Sequence, residues 1–415
     1  MSEPLEKQRE FSPAYRNYAL GILFVGYIVN FVDRSILSLL LEPIKLELSL
    51  SDSQLGLLGG LAFAVFYTFL GIPIAALADR RSRVKILAVS MVIWSAMTAL
   101  CGLATNFWML LLARIGVGVG EAGASPPSHS LISDYFPIDK RATALSIYAL
   151  GIPFGTMIGS YVGGWGADEL GWRYTFFLVG IPGIFVAMII ALTLREPPRG
   201  LSDVKPAQSA AQTAATEAAP KPEAPQVKEV LNFLWAKVSF RHLSFAAGLH
   251  AFVSYGASTW NAPFLSRTQR VSAPVLGAAL ALVAGVGAIG TFAGGYLSDK
   301  LSDRTGDKRW YFWVPGIATI IMVPFQLVAY LYDGTTAAIA SLCMVAIMGN
   351  VYLGPSFAMT QALVSLRMRA VASAILLFVL NLIGMGLGPY FVGILSDLFA
   401  PTFGVESLRY ALCIA

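Results

Sequence analysis

Charge is what this chain has least of. Only 13% of its 415 residues are Asp, Glu, Lys or Arg, about half the share of an ordinary soluble protein. So few charges cannot cover a water-facing surface, which sets aside a soluble fold of buried helices. Histidine and cysteine are as sparse, at three each. Cys101, Cys343 and Cys413 fall inside apolar runs at unrelated spacings, so neither a disulfide frame nor a metal site is expected. Gly116, Gly118 and Gly120 alternate within an apolar run and form no phosphate cradle. With no nucleophile triad either, no cofactor and no enzyme activity are expected. No cleavable leader is apparent, because the first fifteen residues are polar and the first apolar run lacks a small-residue cleavage site.

Hydrocarbon is what the chain has in plenty, at 56% hydrophobic residues. Apolar segments run near 17–41, 54–78, 86–105, 107–135, 142–167, 174–194, 243–265, 274–298, 311–332, 335–364 and 370–397. Each is long enough to cross about 30 Å of bilayer, which takes roughly 20 helical residues. A twelfth begins at Leu408 and stops at Ala415, which reads as a last helix cut short. The expected class is therefore an all-α, multi-pass membrane protein.

The positive charge has an address. With the amino terminus placed in the cytoplasm, most of the 29 Lys and Arg fall on that side. They include Arg80, Arg81, Arg83 and Lys85, then Lys140 and Arg141, then Lys300, Arg304, Lys308 and Arg309. That bias predicts a cell (inner) membrane protein with both termini inside. It also explains the net charge of +5 without a nucleic-acid partner, because the bases sit in separate loops.

One motif appears twice. AALADRRSRVK at Ala75–Lys85 returns in shortened form as GYLSDK at Gly295–Lys300, each closing an apolar run. Pro127 and Arg141 repeat as Pro355 and Arg369, and Gly155, Gly159, Gly164 and Asp168 as Gly384, Gly388, Gly393 and Asp397. A unit recurring at half the chain length marks internal duplication, and with membrane spans it marks a transporter of two halves. The predicted divisions are 1–195, a cytoplasmic linker at 196–240, and 241–415. The linker's AQSAAQTAATEAAPKPEAP has no large apolar residue and reads as flexible. Val230, Leu231, Leu234, Trp235 and Val238 are spaced like one helix face, giving either an interfacial helix or an extended start to the seventh span. The glycine stripes predict that spans five and eleven pack closely against the opposite half.

The loop AALADRRSR resembles the hallmark G-x-L-A-D-R-x-G-R-R/K of the major facilitator superfamily, with Ala75 and Ser82 in place of its glycines. NFVDRSILSLLLEPI from Asn30, ARIGVGVGEAGASPPSHSLISDYF from Ala113 and NLIGMGLGPYFVGILSD from Asn381 look like the spinster family of lipid transporters. The resemblance implies twelve helices in two pseudo-symmetric halves of six. It implies a monomer surrounded by membrane lipids, with spans one and four lining a central cavity. It also implies an amphiphilic substrate such as a lysophospholipid or a sphingolipid phosphate.

Four charges lie inside the spans: Asp33, Arg34, Arg114 and Glu121. A bare charge at the bilayer centre costs at least ~2.5–3.5 kcal/mol, so such residues face a cavity and find partners. Arg114 and Glu121 are seven residues apart, on one helix face at roughly 10 Å along the axis. Asp33 and Arg34 are neighbours, about 100° apart, so one faces the cavity and the other an adjacent helix. With spans one and four adjacent, as the resemblance implies, Arg34 can reach Glu121. The second half has only polar counterparts such as Asn350 and Gln361. A coupling site needs one copy where a structural element needs two, though a static ion-pair cluster is the alternative. Burial and a nearby arginine act oppositely and comparably on a carboxyl's proton affinity, which suits Glu121, and next Asp33, to carry a proton. Arg34 and Arg114 keep their charge and suit an anionic headgroup. His129 reads as a packing residue, and His250 either packs or lines the cavity with Tyr255 and Trp260.

The duplicated loops predict a cytoplasmic gate, closed when the protein opens outward. Asp79, with Arg80 and Arg83, should then approach the start of span eleven near Arg369. Asp299, with Lys300, should face the start of span five near Arg141. The expected function is alternating-access secondary transport of an amphiphilic anion with protons, as symporter or antiporter. The alternatives are a small organic anion or drug carried by the same fold, and a non-transporting membrane sensor. A lipid predicts a lateral opening, and a sensor would need a folded appendage.

Overall fold

The computed structural model describes residues 11–201, 227–365 and 368–415, and all regular structure among them is helical. The spans are Pro13–Leu48, Asp52–Ala78, Arg83–Cys101, Phe107–Tyr135, Thr143–Glu169 and Gly171–Thr193. A short helix, Val227–Ala236, precedes span seven at Val238–Arg267. Spans eight, nine and ten are Ala273–Thr305, Trp310–Leu331 and Thr335–Ala362. Span eleven is built from Arg369–Val379, Leu380–Leu387 and Gly388–Phe403, and Ser407–Ile414 follows it. The linker residues 202–226 and residues 366–367 lie outside the described residues.

Polar residues punctuate the apolar runs. Ser12 caps span one ahead of Pro13, and Ser49 ends it in the left-handed region at φ 52. Ser51 and Gln54 form a reciprocal capping box that starts span two two residues later. Ser82 and Asn106 accept amide hydrogen bonds at the starts of spans three and four. Spans four and ten are both interrupted, at 122–124 and 350–352, shortly before Pro127 and Pro355. Spans two and eleven each contain a wider π-type turn, Leu57–Leu61 and Leu380–Leu387, and these turns pack on each other.

Spans five and eleven pack closely against the opposite half, as expected, but through only part of each glycine stripe. A Cβ on Gly155 would meet Ile28 O at 2.6 Å, and one on Gly159 would meet Val32 O at 2.9 Å, both in span one. Gly384 and Gly388 meet Ala251 and Phe252 of span seven in the same way. Only the last glycine of each stripe crosses to the other six spans. A Cβ on Gly164 would lie 2.4 Å from Ala273 O, and one on Gly393 would lie 2.3 Å from Asp52 O. The duplication is thus kept contact for contact, but most of each stripe serves its own six helices.

The short helix is separate from span seven, because Lys237 between them is extended. It buries Val230 and Leu234 against Phe240, Val364 and Ala372. Leu231, Trp235 and Val238 point outward, so the predicted apolar face is split between core and surface.

Candidate functional site

Span one turns two successive charges in different directions. Asp33 is fully buried and has Glu121 and Arg114 as charged neighbours and Thr98 and Trp94 as polar ones. Arg34 keeps a 20% exposed side chain and donates from Nε to Glu121 Oε2 at 2.5 Å. Its guanidinium lies 4.5 to 5.1 Å from the ring centroids of Phe31, Phe63 and Tyr67. The Arg114 guanidinium lies 5.4 Å from the Phe63 ring centroid, and its Nε points to Leu58 O at 3.5 Å. Rings on this scale stabilise a guanidinium by about 0.5–2 kcal/mol each while leaving its edge free to donate.

The layer behind Arg34 is polar and buried. Asp33 faces Thr98 and Trp94, and Glu121 faces Asn30, but none of these contacts is a short, well-aligned hydrogen bond. Loosely held partners of this kind leave a buried carboxyl dependent on the nearby Arg34 and Arg114 for its charge balance.

The opposite wall comes from span seven. Tyr255 is 38% exposed and lies near Tyr67 and Arg34, bringing the two sets of spans together around one cation. Tyr27 adds a third phenol beside Arg34 and stacks on Tyr148 at 4.2 Å. His250 bonds Gly349 O through Nε2 at 2.8 Å and meets Thr319 Oγ1 through Nδ1 at 3.2 Å. His129 makes an edge contact with Tyr148 at 5.4 Å, in keeping with packing. Trp260 does not line this wall. It is fully buried, with its indole N–H on Pro389 O at 2.8 Å, because span seven carries it almost three turns past His250 to where spans seven and eleven meet.

With this arrangement established, the likeness to known proteins is informative. Residues 23–401 match the Major Facilitator Superfamily. The chain belongs to that superfamily. A solved bacterial homologue of the human lysosomal transporter spinster, inward-facing and unoccupied, is 36% identical with a TM-score of 0.86, covering 97% of this chain and 94% of its own. An MFS-type efflux pump of Mycolicibacterium smegmatis is 32% identical over 95% of this chain and 88% of its own. A sphingosine-1-phosphate transporter of Danio rerio is 33% identical over 45% of this chain and 37% of its own. This is a spinster-like, multi-pass facilitator whose relatives are transporters.

The two ends of this facilitator differ. At the basic end, Arg83 is engaged within its own set of spans. It is buried and holds Asp134, Ser130 Oγ at 2.8 Å, Glu196 at 2.7 Å and Pro197 O at 2.7 Å, all within the first six spans and the segment after them. The guanidinium fork fits these acceptors, which span three presents at its own start. Glu196 also takes Ser82 Oγ and the Val84 amide, at 2.8 and 3.0 Å. Burial works against the Glu196 carboxylate, but the Val84 amide, Arg83 and Ser82 together outweigh it and hold its carboxyl below the ordinary range. Asp79, Arg80 and Arg369 are exposed. Asp299 accepts from Tyr311 OH at 2.5 Å and Lys300 bonds Tyr296 OH at 3.1 Å, so both engage their own half rather than Arg141.

The polar contacts joining the first six spans to the last six gather at the other end. Arg267 of span seven forks onto Asp52 of span two at 2.7 and 2.9 Å and also holds Glu42 of span one. Ser396 donates to Asp52 at 2.6 Å. Asp397 takes the Asp52 and Ser53 amides at 2.9 and 2.7 Å, capping span two from span eleven. Sequence reasoning missed this closure. Asp397 was visible as a repeat of Asp168, but nothing in the sequence paired it with residues 52 and 53.

Proposed function

We propose that this protein is a secondary transporter that works by alternating access and couples protons to an amphiphilic anion. The observation that carries the reading is Arg34, which bridges buried Glu121 while keeping one face open among Tyr27, Tyr67 and Tyr255. An anionic headgroup entering there competes with Glu121 for the guanidinium. Glu121 then loses its counter-charge inside the membrane and takes up a proton, so substrate and proton occupancy become linked. Asp33 is the second carrier, and Arg114 modulates both carboxylates.

The aromatic surround and the open face of Arg34 suit a lipid phosphate, and the likeness to a sphingosine-1-phosphate transporter supports that class. The likeness to an efflux pump favours the second reading, a smaller organic anion or drug exported by the same machinery. In either case the protein would act as a monomer in the cell membrane with both termini cytoplasmic, dividing at 1–195, 196–240 and 241–415. Asp79, Arg80, Asp299, Lys300, Arg141 and Arg369 would close the basic end when the far end opens. Sealing by Asp52, Arg267 and Asp397 at the far end supports an inward-open state here.

Proteoliposomes loaded with lipid or small-anion substrates, with and without a pH gradient, separate these readings. Glu121→Gln keeps the shape but fixes the group as neutral. Gradient-driven accumulation should vanish while exchange without a gradient survives. Unchanged accumulation would remove Glu121 as the proton carrier. Loss of exchange and thermal stability together would make it a structural partner of Arg34, at the ~3–5 kcal/mol typical of a broken buried pair.

A further inference from the structure

The last six spans carry no Asp, Glu, Lys or Arg within 243–265, 274–298, 311–332, 335–364 or 370–396. His250 is the one imidazole in that interior, and its surroundings are built. Span ten is interrupted after Gly349, so the Gly349 carbonyl lacks the helical amide it would otherwise accept from. His250 Nε2 supplies the missing donor at 2.8 Å. On the other side of the ring, Nδ1 meets the Thr319 hydroxyl of span nine at 3.2 Å, and that hydroxyl lies 2.9 Å from Pro315 O.

This hydroxyl makes both forms of the ring satisfiable. When the ring is neutral, Nε2–H donates to Gly349 and the Thr319 O–H donates to Nδ1. When the ring is charged, Nδ1–H donates to Thr319 Oγ1, and the hydroxyl turns its own proton to Pro315 O. No group is left unpaired in either state, so a proton is gained or lost by one hydroxyl rotation. Taking a cation out of water is costly, and two features offset that cost. Gly349 is the last residue of the helix Thr335–Gly349, whose carboxyl end favours a positive charge. The Tyr352 ring lies 4.2 Å from the imidazole, tilted 43° to it, within the range at which an aromatic ring attracts a cation.

We infer that His250 is a second reversible proton-binding site, placed in the last six spans to answer the Asp33–Glu121 cluster in the first. The inference deepens the proton-coupled reading and rests on it for its transport role. Thr319 of span nine and Gly349 and Tyr352 of span ten lie against the ring. The titratable side chain among them is Tyr352, and Tyr255 lies five residues along the ring's own helix. Protonation strengthens the hold on Gly349 and so steadies the interruption in span ten, giving the second half its own response to the pH gradient. His129 has no such pair of oxygens on its ring nitrogens, and His242 lies exposed near the basic end.

The test reads protonation directly. Full-length protein with isotope-labelled histidine in lipid nanodiscs, carrying His129→Gln and His242→Gln, has His250 as its sole imidazole. Its ring-nitrogen resonances are followed from about pH 8 down to about pH 5. The expected result is passage from a single neutral tautomer to the doubly protonated ring within that window. Thr319→Val, which removes the hydroxyl, should move the midpoint down by about one pH unit, a tenfold loss of proton affinity. If the paired replacements reduce yield, the difference between wild-type and His250→Asn spectra gives the same signals. A ring that stays neutral to pH 5, or a midpoint indifferent to Thr319→Val, overturns the inference. Because the readout is not transport, failure of Glu121 as carrier leaves this result standing, and the reverse also holds.

Discussion

Opening the far end requires parting Arg267 from Asp52, so weakening that pair should change which side of the membrane the protein faces. Asp52 accepts two N–H bonds from Arg267, one from Lys45 at 2.6 Å and one from Ser396, with only 3% of its side chain exposed. Asp52→Asn keeps the volume and one acceptor but removes the charge. Hydrogen bonds to charged groups contribute about 1.5–3 kcal/mol each. Arg267 retains Glu42, so the loss should be that of about one such bond rather than the full cost of an orphaned cation. The Arg267 and Ser396 contacts join opposite sets of spans and need the far end closed, whereas Lys45 sits in the same set as Asp52, so the cross-set loss falls on the closed state. At about 1.4 kcal/mol per factor of ten, the far-end-open population should rise roughly 10- to 100-fold.

Paired spin labels at Leu46 and Val405 would measure this, with Cys101, Cys343 and Cys413 replaced by alanine. Both positions are exposed and lie at the far end of opposite sets of spans. A second, longer distance should grow in Asp52→Asn, while the melting temperature changes little. A distance distribution identical to that of the parent, together with a fall in melting temperature, would refute the argument and leave the bridge as a simple fastener.

Further outcomes follow from the same contacts. Gly164→Val places a methyl-bearing carbon against Ala273 O and Gly277, so the far end should fail to close and spin-label distances there should lengthen. Glu196 has a folded-state pKa below its ordinary value of about 4.3, so its contribution is present above that value and is lost as pH falls through the lower folded one. Glu196→Gln should therefore melt earlier than wild type at neutral pH, with the gap closing in acid. Deleting 209–219, where the composition holds no core-forming residue, should leave expression and transport near normal. Loss of transport in folded protein would give that segment a regulatory part.

The spans, the duplication and the four intramembrane charges were legible because each depends on local spacing. Hydrocarbon runs set the helices, and the 100° step between Asp33 and Arg34 set their divergence before any contact was known. What escaped was decided by register between distant helices. Arg83 carries the same charge whether it gates the basic end or ties span three to Glu196, and only the position of the segment after span six selects between them. Trp260 and His250 sit on one apolar helix, yet a displacement of ten residues takes one to the seal and leaves the other at the break in span ten. The far-end closure is the plainest case. Helix starts present free amides that any nearby carboxylate can cap, so a sequence with several aspartates beside span ends is compatible with many pairings. The glycines at 164 and 393 decide among them, because their missing side chains let spans five and eleven approach the opposite set closely enough for Asp397 to reach the amides of Asp52 and Ser53.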